Sequence, residues 1–197
     1  MERRELIQWL VALSGLQALD SLAPADLLAL GREVHKGSRQ QAALRVLSPH
    51  QERTVVAAAE RIIPATDTPG ATDAGVSRFV DRMLADWHTP AERDRLLAGL
   101  PELDARCRAR RGMDFIACAE ADQVAVLTAL DDEVTALRAS QGGAVANQHW
   151  FSMLKYLTIY GFCTSEPGQR RALGVWPPPM RYDGCAPLAP APAGRPS

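Results

Sequence analysis

VSRFVDRMLADWHTPAERDRLLAGL, residues 76–100, reads as two helices meeting at a tight corner. Val76, Phe79, Val80, Met83, Leu84 and Trp87 recur at the three-to-four-residue spacing of one helix face, so a core helix is predicted from about residue 72 to residue 87. Thr89-Pro90-Ala91-Glu92 then has the form of a capping box: a hydroxyl for the N3 amide, a carboxylate reaching back to the cap amide, and proline at the first helical position, where no donor is needed. Leu96, Leu97, Leu100 and Leu103 carry the second helix towards Arg111, and Gly112 is placed to supply the left-handed residue that ends it.

The same grammar extends in both directions. Ser48-Pro49-His50-Gln51 is another capping box; the helix it opens carries Val55, Val56, Ala59, Ile62 and Ile63 and stops at Pro64. Residues 65–70 form a turn-rich loop. Upstream, residues 24–34 read as a short helix with Leu27, Leu28 and Leu30 on its apolar side, followed by a solvated break at Lys36-Gly37-Ser38-Arg39-Gln40. Downstream, Phe115, Ile116 and Cys118 lead into a helix from 121 to about 139, with Val124, Leu127, Leu130, Val134 and Leu137 inward. Ser140-Gln141-Gly142-Gly143 reads as a flexible loop. The last helix, 148–162, is apolar almost all round apart from Lys155, so it is either central to the core or buried against something else.

No credible strand pair is present. The expected fold is all-α, a single domain of five to six helices with an irregular Pro/aromatic C-terminal arm. The chain divides into residues 1–25 (a signal or an N-terminal helix), the helical domain 26–160, the arm 161–188 and a Pro/Ala tail, 189–197, expected to be disordered.

Composition excludes several classes. A formal net charge of -1 argues against a nucleic-acid partner. Apolar residues are 47% but aromatic residues only 6%, so alanine and leucine must fill much of the core. No apolar run is long enough to cross a bilayer as a helix.

Arg3-Arg4, followed by Leu6, a modest apolar run and Ala23-Pro24-Ala25, resembles a twin-arginine export signal. An amphipathic first helix is the alternative, because Leu6, Trp9, Leu10 and Leu13 also fall on one helical face.

Catalytic chemistry is not announced. There is no dinucleotide fingerprint, phosphate loop or nucleophile elbow. The four cysteines hold no C-x-x-C, and His35, His50, His88 and His149 are scattered singly, so a metal site is not expected. Asp131-Asp132-Glu133 reads as a solvated face, and Arg106, Arg108, Arg110 and Arg111 as cations opposing a helix C-terminal dipole. Trp176 and Tyr182, flanking Pro177-Pro178-Pro179, lie on a stiff segment that loses little entropy on docking, which favours a partner role over a core role. From residues alone, the chain is a binding or structural subunit.

Four stretches, ERIIPATDTPGATDAGVSRFVDRMLADW, AERDRLLAGLPELDARCRARRG, HWFSMLKYLTIYGFCTSEPG and RYDGCAPL, together resemble the gluconate 2-dehydrogenase subunit 3 family over about residues 48–188. The most specific pieces are Ile62-Ile63-Pro64 with Asp67-Thr68-Pro69-Gly70-Ala71, then Thr164-Ser165-Glu166, and Arg181-Tyr182-Asp183-Gly184-Cys185. The resemblance implies a small helical protein, not itself catalytic, that binds no cofactor and accompanies a large FAD-containing subunit of the glucose-methanol-choline oxidoreductase type. A cytochrome c subunit carrying haem c is the frequent third partner. Such a complex oxidises sugars or sugar acids on the periplasmic side of the inner membrane, and the small subunit's Arg3-Arg4 would address the folded pair to the twin-arginine translocase. The implied partner contacts are Tyr160, Phe162, Thr164, Ser165, Glu166, Trp176, Arg181 and Tyr182. Cys118 and Cys185 match family positions and are the implied disulfide pair; Cys107 and Cys163 depart from the pattern. The competing reading is a transient export escort that is not retained in the mature complex.

Overall fold

The computed structural model describes residues 24–40 and 43–174. Helix α1 spans Pro24–Gln40, α2 Pro49–Ile62, α3 Val76–Asp86, α4 Pro90–Arg111, α5 Glu120–Gln141, α6 Gly143–Asn147 and α7 Trp150–Thr164. A 3-10 turn, Phe115–Ala117, joins α4 to α5, and a π-helical turn, Gly168–Ala172, follows α7. Among the described residues there is no strand, and the all-α expectation holds.

Both capping boxes form as the sequence requires. The Ser48 hydroxyl accepts from the Gln51 amide at 3.3 Å, and the Gln51 side chain accepts from the Ser48 amide at 2.9 Å. Thr89 and Glu92 repeat the exchange at 3.3 and 2.9 Å. Each cap is worth about 1 kcal/mol. Gly112 ends α4 with φ 75, a conformation a side chain would strain. Pro101 lies inside α4 and removes one internal hydrogen bond, yet the helix continues past it to Arg111.

Three boundaries differ from expectation. The helix expected from residue 72 starts at Val76, because Gly75, with φ 67, turns the chain just before it. The break expected at residues 36–40 is instead the last part of α1. One glycine costs a helix only about 1 kcal/mol, too little to end it when packing opposes, and here α3 passes so close that a Cβ on Gly37 would meet the Arg82 guanidinium at 2.1 Å. The loop expected at residues 140–143 is a tight corner: α5 runs to Gln141, Gly142 adopts φ 88, and α6 begins at once.

Helix α7 explains the all-round apolar pattern. Every one of its residues except Lys155 and Ile159 is buried. It packs on each of the other six helices. Its apolar surface is therefore covered by its own chain. Glycines make several of these close approaches possible. A Cβ on Gly99 would lie 2.1 Å from the Trp150 ring, and one on Gly161 would lie 2.8 Å from the Phe79 ring. Phe79, Phe115 and Leu130, with Leu154 and Tyr156 of α7 itself, are among the fully buried side chains of the core, each worth about 1.5–3 kcal/mol of burial. Trp87 and Val124, expected inward, are instead 46% and 45% exposed. Trp87 caps the end of α3, and in the first turn of α5 the inward place goes to Gln123, whose amide donates to the Phe115 carbonyl at 2.9 Å. Among the described residues no helix is long and apolar enough to cross a membrane.

Candidate functional site

The C-terminal end of α7 is the root of the arm. α7 stops at Ser165, whose extended backbone (φ -72, ψ 154) breaks the helical repeat. The Ser165 hydroxyl donates to the Phe162 carbonyl at 2.7 Å and accepts from the Gly168 amide at 3.0 Å. The Ser165 carbonyl accepts from the Gln169 amide at 3.0 Å, and the Leu173 amide closes the π turn on the Gly168 carbonyl at 2.8 Å. Only glycine fits at 168, because a Cβ there would lie 2.0 Å from the Phe162 carbonyl oxygen. One serine thus turns the chain off α7 in a fixed direction. Gly174, with φ 59, is the last described residue.

Helix α1 covers this root. The Tyr160 hydroxyl donates to the Leu27 carbonyl at 2.6 Å. His35 Nε2 donates to the Gly161 carbonyl at 2.7 Å, and its ring stacks on Phe79 with centroids 4.7 Å apart. Phe79 meets Tyr160 edge-on at 5.3 Å. Arg32 donates to the Gln169 side chain at 3.1 Å, tying α1 directly to the π turn. Burial holds the Tyr160 phenol above its ordinary value, so it acts as a neutral donor.

The sequence-predicted contact residues divide in two. Tyr160, Phe162, Thr164 and Ser165 are 2%, 6%, 3% and 1% exposed, packed within their own chain rather than presented on a surface. Glu166 is exposed and pairs with Arg170 at 3.2 Å. Arg3, Arg4, Trp176, Arg181, Tyr182 and Cys185 lie outside the described residues. Cys107, Cys118 and Cys163 are buried free thiols.

The loop after α2 is built by a residue that sequence reasoning missed. The Glu60 carboxylate accepts from the Ala65 amide at 2.9 Å, the Thr72 amide at 2.9 Å and the Thr72 hydroxyl at 2.6 Å. Burial pushes the Glu60 carboxyl up, but the Thr72 and Ala65 donors outweigh it and hold it below the usual range. Asp81 plays the same part for the segment before α2. Fully buried, it accepts from the backbone amides of Arg45, Val46 and Leu47 at 2.8–2.9 Å. Both are acidic residues amid apolar helical patterns, and no local signal marks an acid that binds backbone amides distant in sequence.

His50, Asp104 and Asp114 offer ligand atoms within 4.8 Å of one another. Each is already engaged: His50 Nε2 lies 2.7 Å from Asp104 Oδ2, Asp104 Oδ1 accepts from the Phe115 amide at 2.8 Å, and Asp114 pairs with Arg108 at 2.6 Å. The arrangement is a joint between α2, α4 and the 3-10 turn. The charged runs resolve similarly. Arg106 bridges Glu102 and Glu133, and Glu102 in turn accepts from the Trp150 indole at 2.8 Å. Arg111 pairs with Asp122 and Lys155 with Asp131.

A family model described as gluconate 2-dehydrogenase subunit 3 matches residues 49–179, from the start of α2 to beyond the last described residue. No curated protein and no solved structure matches the chain. The match covers well over half of the sequence, and the chain belongs to the gluconate 2-dehydrogenase subunit 3 family.

Proposed function

From that membership we propose that the chain is the non-catalytic small subunit of a periplasmic, FAD-dependent sugar or sugar-acid dehydrogenase, and that it supports export and assembly of the large flavoprotein subunit. The family match carries the reading, since the family's name denotes one subunit of several. The structure supports the non-catalytic part in one respect. The buried carboxylates of Asp81 and Asp104, and that of Glu60, are all occupied in holding backbone amides. That is the chemistry of a scaffold.

In this reading FAD sits in the large subunit, of the glucose-methanol-choline type, haem c in a cytochrome c subunit as third partner, and the complex is associated with the inner membrane. The arm, leaving at Gly174, carries the contact through Trp176, Arg181 and Tyr182, with Glu166 beside its root. Tyr160, Phe162, Thr164 and Ser165 contribute by fixing the direction in which the arm departs. Arg3 and Arg4 address the assembled pair to the twin-arginine translocase, which moves folded proteins.

The test is fractionation of cells co-expressing this chain with its large subunit. With the native sequence, both chains are expected outside the cytosol. The variant Arg3→Lys with Arg4→Lys is expected to retain both inside. Normal export of the flavoprotein with the double variant would overturn the export role.

A further inference from the structure

We infer that the N-terminal leader is not removed after export: the motif Ala23-Pro24-Ala25, where it would be cut, runs into the first turn of α1, and the fold withholds it from the protease. The inference rests on the export reading above. Leader removal at an A-x-A motif cuts after its last residue, here between Ala25 and Asp26. A peptide is taken into such a cleft as an extended strand, recognised through its backbone on both sides of the bond. Helix α1 begins at Pro24, so this bond lies in helical backbone. In a helix each carbonyl accepts from the amide four residues on, which commits the Ala25 carbonyl to Ala29. Ala25 and Asp26 are both exposed, so the obstacle is the shape of the backbone and not access to it.

Fraying of the first turn alone does not free enough chain, because α1 is fastened directly after it. The Leu27 carbonyl, on the second residue past the bond, accepts the Tyr160 hydroxyl at 2.6 Å. At Gly31 the helix presses on α7 so closely that a Cβ would lie 2.4 Å from the Thr164 side chain. Val34 and His35 are buried, and His35 bonds to the Gly161 carbonyl at 2.7 Å. Drawing the segment out as a strand therefore means lifting α1 from the end of α7, against the contacts that hold the root of the arm. A twin-arginine substrate is folded before it crosses, so α1 is already docked when the motif meets the protease. The exported subunit then keeps Arg3, Arg4 and the apolar run behind them.

The decisive experiment does not use the cell, so its result is independent of export. The full chain, purified with its N-terminus intact, is incubated in detergent with a bacterial leader peptidase and followed by intact mass and N-terminal sequencing. It is compared with a variant carrying a Gly/Ser spacer of roughly eight residues between Asp26 and Leu27. The spacer puts extended chain in front of the fold and leaves Leu27 and everything after it in place. The expected result is that the spacer variant loses residues 1–25 and starts at Asp26, while the native chain is cut at least about tenfold more slowly. Cutting of the native chain after Ala25 at the spacer variant's rate would overturn the proposal. A spacer variant left uncut would overturn it too, because the fold would then have no processing site to withhold. Failure of the export reading shows separately, in the fractionation of cells carrying Arg3→Lys with Arg4→Lys.

Discussion

The Tyr160 hydroxyl reaches across to the Leu27 carbonyl at 2.6 Å and joins two residues 133 positions apart in the sequence. With the His35 contact to the Gly161 carbonyl, it fastens α1 over the root of the arm. Replacing Tyr160 by Phe keeps the ring against Phe79 and leaves the Leu27 carbonyl without this donor. A loss of about 1 kcal/mol is expected. Hydrogen exchange should show it as faster exchange confined to α1. Unchanged protection in α1 would mean that the bond contributes nothing.

Gly99→Ala tests the contact between α4 and α7. Its Cβ would meet the Trp150 ring at 2.1 Å, so the helices must separate or the indole must leave its bond to Glu102. A cost of about 1–3 kcal/mol is expected in urea unfolding. Gly143→Ala is the control, since nothing lies within 4 Å of a Cβ there and its φ is ordinary. It should be neutral or stabilising by roughly 0.5 kcal/mol.

Asp81→Asn removes a carboxylate that collects three backbone amides. The new amide group turns a donor towards donors in a fully buried place. About 2–3 kcal/mol should be lost, together with proteolytic resistance between residues 43 and 48. A variant as stable as the native chain would show that this segment is held by other contacts.

His88 should make stability depend on pH. Its side chain is fully buried, neither ring nitrogen has a hydrogen-bond partner, and Glu92 is 3.6 Å away, beyond hydrogen-bond reach. Burial lowers its pKa from the usual 6.5, and the Glu92 carboxylate opposes this only in part. Above about pH 6.5 the ring is neutral in both states and folding pays no penalty. As pH falls below that value the unfolded chain takes up the proton before the folded one, and stability declines until the folded-state pKa is passed. Melting curves at descending pH should show this loss, and His88→Leu should flatten it. An identical pH profile for the variant would contradict the assignment.

How much of this was legible in the sequence depends on how local the signal was. Ser48 with Gln51, Thr89 with Glu92, and Gly112 are devices whose partners lie within a few residues, and all three appear where the pattern put them. The boundaries that shifted were set by tertiary contact. Gly37 sits in a helix because Arg82 packs against it, and Trp87 is exposed because α3 ends there, although its spacing fits the stripe. The ambiguous apolar helix at 150–164 needed the whole fold to resolve it, since periodicity cannot tell a central helix from one awaiting a partner.

The site was less legible. Thr164-Ser165-Glu166 stood out as a specific piece of the resemblance, but its inward-facing serine did not, because a buried hydroxyl and an exposed one look the same in a sequence. Glu60, Asp81 and Asp104 bind amides brought near only by folding, so nothing in their neighbours announced them.

The subunit assignment is tested most directly by co-expressing this chain, tagged, with the large-subunit partner and recording the absorption spectrum of the purified material. A yellow complex of fixed stoichiometry with bound flavin is the predicted result, and it should be lost when residues 174–197 are removed. A colourless, well-behaved monomer from the full-length chain would contradict the account and favour a transient escort.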